Sequence, residues 1–153
     1  MRCASLTQEQ FTHFLDISIP AFAQSKVESL EWSTDTALEQ SQAAFNQLLP
    51  LGLNTPDQLL WGLYEEEQYV GWVWINLNFT ARVKSAFVYE FRIFDEHQNQ
   101  GYGKKALALI STALKEKEIK HLYLHVFGSN QKALHLYQKN GFELVDLTLG
   151  KIL

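Results

Sequence analysis

One cysteine, one methionine and three prolines among 153 residues exclude several kinds of protein. A lone Cys3 rules out an internal disulfide and a cysteine-built metal site. No apolar run approaches the roughly 20 residues needed to cross a bilayer, so no membrane partner is expected. The opening stretch, Met1-Arg-Cys-Ala-Ser-Leu-Thr-Gln-Glu9, lacks the apolar centre of a secretory signal, and a reducing cytoplasm is the expected location. Positive charge is also short. Thirteen Lys and Arg stand against seventeen Asp and Glu, a net charge of −4, which does not suit a nucleic-acid surface. His13, His97, His121 and His135 share no ligand spacing with carboxylates, so no metal is assigned. The Gly-Lys-Ser/Thr of a P-loop is absent.

The hydrophobic fraction is 46% and the charged fraction 20%, with ten Phe, six Tyr and four Trp. That is the composition of a globular domain, and the length suits one domain over residues 1–153. Residues 2–6 read as a short strand. Thr7 and Gln10 form a capping box for a helix carrying Phe11, Phe14, Leu15 and Ser18, which Pro20 is expected to kink or end. Ser33 caps a second helix over 34–49, with Ala37, Leu38, Ser41, Ala44, Phe45 and Leu48 as its stripe. Residues 59–64 and 68–79 read as a hairpin about Glu65-Glu66-Glu67. Its second arm is apolar on both faces at 70–75, as befits an interior strand.

Residues 85–94 are the next strand. Strict alternation puts Phe87, Tyr89, Phe91 and Ile93 on one face and Ala86, Val88, Glu90, Arg92 and Phe94 on the other. A helix over 104–117, a strand over 121–127, a helix opened by Gly128-Ser-Asn130 and closed by Asn140-Gly141, and one or two strands over 142–153 complete the chain. Strand, helix, strand in that order favours a parallel pair.

The stretch that organises the chain is Gln98-Asn-Gln-Gly101-Tyr-Gly103-Lys-Lys105, between a strand and a helix. Two glycines there strip side chains from the backbone. Main-chain N–H groups backed by a helix N-terminus can then face an anion at close range. In a mildly acidic chain, phosphates have to be held in this local way.

Two segments resemble the GNAT superfamily of acyl-CoA-dependent N-acyltransferases. Gln98-x-x-Gly101-x-Gly103 is similar to that family's loop after its fourth strand. Leu124-His-Val-Phe-Gly-Ser-Asn130-x-x-Ala133-x-x-Leu136-Tyr137-x-Lys139-x-Gly141-Phe142 is similar to its fifth strand, the Asn that follows, the helical Leu-Tyr and the Gly-Phe of its sixth strand. The resemblance covers residues 85–153 well, and residues 1–58 in length and pattern. It implies an α/β fold: a mixed sheet of six or seven strands with helices on both faces, whose central parallel pair splays around acyl-CoA.

The resemblance places the pyrophosphate on Gln98, Asn99, Gln100, Gly101, Tyr102 and Gly103, with Lys104 or Lys105 able to reach in. Many relatives carry Arg and Lys where this chain has Gln98-Asn-Gln100. Pantetheine would lie along Phe91, Arg92, Ile93 and Phe94 like an added strand, with Asn130 and Ala133 on its far side. Tyr137 would be the acid that protonates the departing thiolate. The amine's proton would pass to Glu90, to His125, or to neither, with proximity supplying most of the acceleration. Glu90 could instead pair with Arg92. An amide near Phe94 would polarise the carbonyl.

The implied activity is acetyl transfer from acetyl-CoA to a primary amine of a small molecule, a peptide or protein N-terminus, or a lysine, by direct attack. Homodimers are common among relatives. A module of the same fold that binds acyl-CoA without turnover is the alternative. Gly101-x-Gly103-x-x-Ala106 also fits the dinucleotide fingerprint, but it comes late in the chain, and no acidic residue stands about 20 positions on.

Overall fold

The computed structural model describes residues 1–153. The chain divides into two compact units, Met1–His13 with Leu49–His125, and Phe14–Leu48 with Val126–Leu153.

The first unit is a five-stranded mixed sheet in the order β1 (Arg2–Ser5), β2 (Gln58–Glu65), β3 (Gln68–Asn78), β4 (Ser85–Ile93), β5 (His121–Leu124). β1 to β4 pair antiparallel, and β4 and β5 pair parallel. The hairpin forms as its sequence suggests, with Glu66 at φ +53° in a turn between β2 and β3. β3 lies between two strands, which accounts for its apolar run over both faces. Gly71 is required there, because a Cβ would meet the Arg92 carbonyl oxygen at 2.0 Å.

The helix of this unit, α3 (Tyr102–Glu116), links the parallel pair. Its Ala106, Ile110 and Leu114 bury against Val73, Ile75, Leu77, Ala86 and Val88 to make the core. Each fully buried aliphatic side chain of that kind contributes roughly 1.5–3 kcal/mol.

Strict alternation fails in β4. Trp74 pairs with Glu90, and Ile75 with Val88, so Tyr89 is an extra, bulged residue. The parity of the strand therefore flips. Ala86 and Val88 face the core before the bulge, and Phe91 and Ile93 pack against it afterwards. Glu90 and Arg92, opposite Trp74 and Trp72, thus share a face with Phe87 and Tyr89 rather than opposing it.

β5 is shorter than the sequence suggests and ends at Leu124, not Phe127. Its parallel pairing covers Ser85–Val88 of β4 and stops at the bulge.

The second unit holds most of α1 (Gln8–Glu28), α2 (Ala37–Leu48) and α4 (Gln131–Lys139). The Thr7–Gln10 capping box that starts α1 is present, with reciprocal bonds of 3.2 and 3.0 Å. Pro20 does not end α1. It sits on the exposed side, where water can serve the carbonyl that its missing N–H abandons. α2 begins at Ala37 because the preceding turn folds onto the Ser33 carbonyl, which accepts from Ala37 N at 3.0 Å. Phe14, Phe22 and Phe45 cluster between α1 and α2, and Ser41 donates to the Ile19 carbonyl at 2.7 Å.

The sixth or seventh strand expected after Phe142 is not formed. Leu144, Val145, Leu147 and Leu149 are all more than half exposed, and without a buried face the weak alternation there has nothing to reward it.

Candidate active site

The turn ahead of α3 is built from side chains that bond to their own main chain. A 3-10 turn, Asp95–His97, follows β4. Gln98 Nε2 then donates to the Ile93 carbonyl at 3.0 Å and to Asp95 Oδ1 at 2.9 Å, and Gln100 Nε2 donates to the Glu96 carbonyl at 3.1 Å. Asn99 takes φ +61°, and Gly101 takes φ +79° as the N-cap of α3. Gly101 makes no side-chain cap bond, and a Cβ built on it meets nothing within 4 Å. The first main-chain bond into the helix is Lys105 N to the Gly101 carbonyl at 3.2 Å. The N–H groups of Tyr102, Gly103 and Lys104 precede it, at the positive end of the helix dipole. Open space, three bare donors and a helix N-terminus fit a diphosphate.

The lysines behave differently. Lys105 is ion-paired with Glu65 at the end of β2, and its ammonium lies 5.4 Å from the Tyr102 ring centroid. It is committed away from the turn. Lys104 is exposed in the first turn of α3.

Beside the turn runs the part of β4 that lies beyond its pairing with β5. Phe94 N donates to the Val70 carbonyl at 2.9 Å, so that amide is spent on β3, and a polarising amide near Phe94 would be another one. By strand alternation, the amides of Phe91 and Ile93 point away from β3.

At the bulge, Glu90 Oε1 accepts from the Trp72 indole N–H at 2.9 Å and lies 3.5 Å from Arg92 Nε. The Arg92 pairing read from the sequence is present. The Trp72 bond is not visible there, although a set of apolar residues (Ala86, Val88, Phe91, Ile93) that alternates only if one residue is skipped was the signal of the bulge behind it. His125 is exposed and follows directly on β5.

Three expected site residues belong to the second unit. Asn130 caps α4, its Oδ1 accepting from Ala133 N at 3.2 Å, which leaves the side-chain NH2 as the half that can serve a ligand. Tyr137 is buried on α4, edge-on to Phe142 with ring centroids 5.6 Å apart. Burial pushes its phenol up to about 12, so the hydroxyl keeps its proton throughout the neutral range. No group of three or more His, Cys, Asp or Glu side chains gathers as a metal site.

A five-stranded mixed sheet with four helices and a bare glycine turn ahead of α3 is the frame of an acyltransferase, and the chain belongs to the acetyltransferase (GNAT) family, whose model matches residues 21–142. It is an N-acetyltransferase. YycN, an uncharacterized N-acetyltransferase of Bacillus subtilis, is 36% identical over 144 residues, spanning 94% of this chain and 92% of YycN. The crystal structure of YycN superposes with a TM-score of 0.95 at 35% identity, covering 99% of this chain and 98% of that one. A spermine/spermidine N(1)-acetyltransferase of B. subtilis is 29% identical over 147 residues, 91% of this chain and 85% of that protein.

Proposed function

We propose that the protein, working as a single acetyltransferase domain, transfers acetyl from acetyl-CoA to a primary amine by direct attack in a ternary complex. The observation that carries this reading is the turn at the start of α3 in the first unit, where the N–H groups of Tyr102, Gly103 and Lys104 precede the first helical bond, next to a strand whose pairing with β5 stops at Val88. The turn suits a diphosphate, and the stretch of β4 beyond Val88 suits the amide-bearing arm of pantetheine. Gln98, Asn99, Gln100 and Gly101 shape the turn. The resemblance gives Phe91 to Phe94, and also Asn130 and Ala133, to the pantetheine arm.

Acetyl-CoA supplies an activated carbonyl and a thiolate leaving group. The amine nitrogen bonds to the carbonyl carbon, and the carbon–sulfur bond breaks. Tyr137 gives its proton to the thiolate and regains one from solvent. The amine's proton passes to Glu90 or His125. A phenol that stays protonated at neutral pH is suited to the acid's part. The similarity to a polyamine acetyltransferase makes cationic amines the first acceptors to try. A binding module without turnover is the weaker reading, since the relatives are named as N-acetyltransferases.

The test is CoA release, read with a thiol reagent, from acetyl-CoA and a panel of amines. Release above the rate without acceptor supports the enzyme. Saturable acetyl-CoA binding with no release from any amine overturns it.

A further inference from the structure

The aromatic residues of the sheet centre are sorted by face. The side packed on α3 is aliphatic before the bulge, with Val73, Ile75, Leu77, Ala86 and Val88. The other side carries Trp72, Trp74, Phe87 and Tyr89, with ring centroids 4.8 Å apart for Trp74–Tyr89 and 5.3 Å for Phe87–Tyr89. Tyr123 of β5 pairs in register with Phe87 and extends the row. Tyr89 and Tyr123 keep 43% and 39% of their surface exposed. Core packing does not require large rings left half in water, and a contiguous patch of them marks a binding surface.

The charge at its margin says what it binds. Glu90 stands next to Tyr89 in the bulge and is held by the Trp72 indole. The chain also shows a cation on this face. The Arg92 guanidinium lies 5.6 Å from the Trp72 ring centroid, within the range of a cation–π contact.

We propose that Phe87, Tyr89 and Tyr123 form a subsite for a second positive charge on the acceptor, beside the Glu90 carboxylate that Trp72 positions, so that the preferred acceptor is an alkyl diamine or polyamine. This rests on the acetyltransferase reading given above. The separation suits it. One to two strand residues span roughly 3–7 Å, the reach of a three- or four-carbon chain. The ammonium that reacts meets Glu90, and the other lies on the rings.

Equilibrium binding separates this inference from turnover. Calorimetric titration of 1,4-diaminobutane and of butylamine into the protein saturated with CoA should show the diamine bound more tightly. The preference should fall roughly two- to thirtyfold in Tyr89→Leu and Tyr123→Leu, and persist in Tyr89→Trp. Unchanged CoA affinity in each variant controls for folding. Equal affinity for the two amines in the wild type, or a preference undiminished in both leucine variants, overturns the subsite. Diamine preference without acetyl transfer to any amine keeps the subsite and sinks the acetyltransferase reading instead.

Discussion

Gln98 ties the turn ahead of α3 to the last residue of β4, donating to the Ile93 carbonyl at 3.0 Å. Its second bond, to Asp95 at 2.9 Å, fixes the intervening 3-10 turn. In the proposed site the side chain would serve phosphate binding by holding the shape of the main chain. Each lost bond of this kind costs about 1 kcal/mol. Gln98→Ala should weaken acetyl-CoA binding about tenfold in a calorimetric titration while the melting temperature falls by only a few degrees. Unchanged affinity would mean that the turn holds its form without this side chain.

The two adjacent lysines should separate cleanly. The Glu65 hydrogen bond raises Lys105, and the same bond holds the Glu65 carboxyl below its usual range. A depressed carboxyl stabilises the fold above its unfolded pKa, and that contribution is lost as pH falls through the folded value. This pair spends Lys105 on structure. Lys105→Ala should leave acetyl-CoA affinity within about twofold, while Lys104→Ala should lower it severalfold, more so at low salt. The reverse order would mean that Lys105 leaves Glu65 when the diphosphate binds.

Much of this architecture is legible in the residues because local rules and tertiary demands agree. The Thr7–Gln10 box, the β2–β3 hairpin, the interior position of β3 and the glycine turn each follow from a pattern only a few residues long. What escapes is set by pairing at a distance. The bulge at Tyr89 depends on the register with β3, and it reverses the facing of Glu90 and Arg92 that alternation implies. Lys105 reads from the sequence as able to reach a phosphate as readily as Lys104, because nothing in its neighbourhood names Glu65, forty positions away in sequence, as its partner. Pro20 looks like a terminator because its exposure cannot be known until α1 is placed. The tail after Phe142 has a strand's alternation without the neighbour that would make it one.

Burial of Tyr137 yields two linked outcomes. Its phenol is raised to about 12 from an ordinary value near 10, so the unfolded chain gives up this proton first as pH climbs. Stability from this group is full below about pH 10 and is lost as pH rises toward 12, by up to about 2–3 kcal/mol. Tyr137→Phe should flatten that decline in a denaturant series run from pH 9 to 12. In the same variant kcat should drop roughly ten- to a hundredfold with the KM for acetyl-CoA little changed. Retained kcat would remove the hydroxyl from the chemistry and leave Tyr137 as packing for Phe142.

Of the two candidate bases in the proposed mechanism, we favour Glu90 over His125. Glu90 is part-buried at 19% side-chain exposure and oriented by Trp72, whereas His125 is exposed beyond the end of β5. A carboxylate held between an indole N–H and a guanidinium can meet an amine repeatedly in one geometry. Glu90→Gln keeps an oxygen for the Trp72 N–H and so preserves the local packing while removing the charge. It should lower kcat/KM for the amine by roughly a hundredfold or more and flatten the acidic limb of its pH profile, while His125→Gln keeps that limb. Loss of the limb in His125→Gln alone would move the base to β5. An intact limb in both variants would leave the orientation of the two substrates as the whole of the acceleration on the acceptor side.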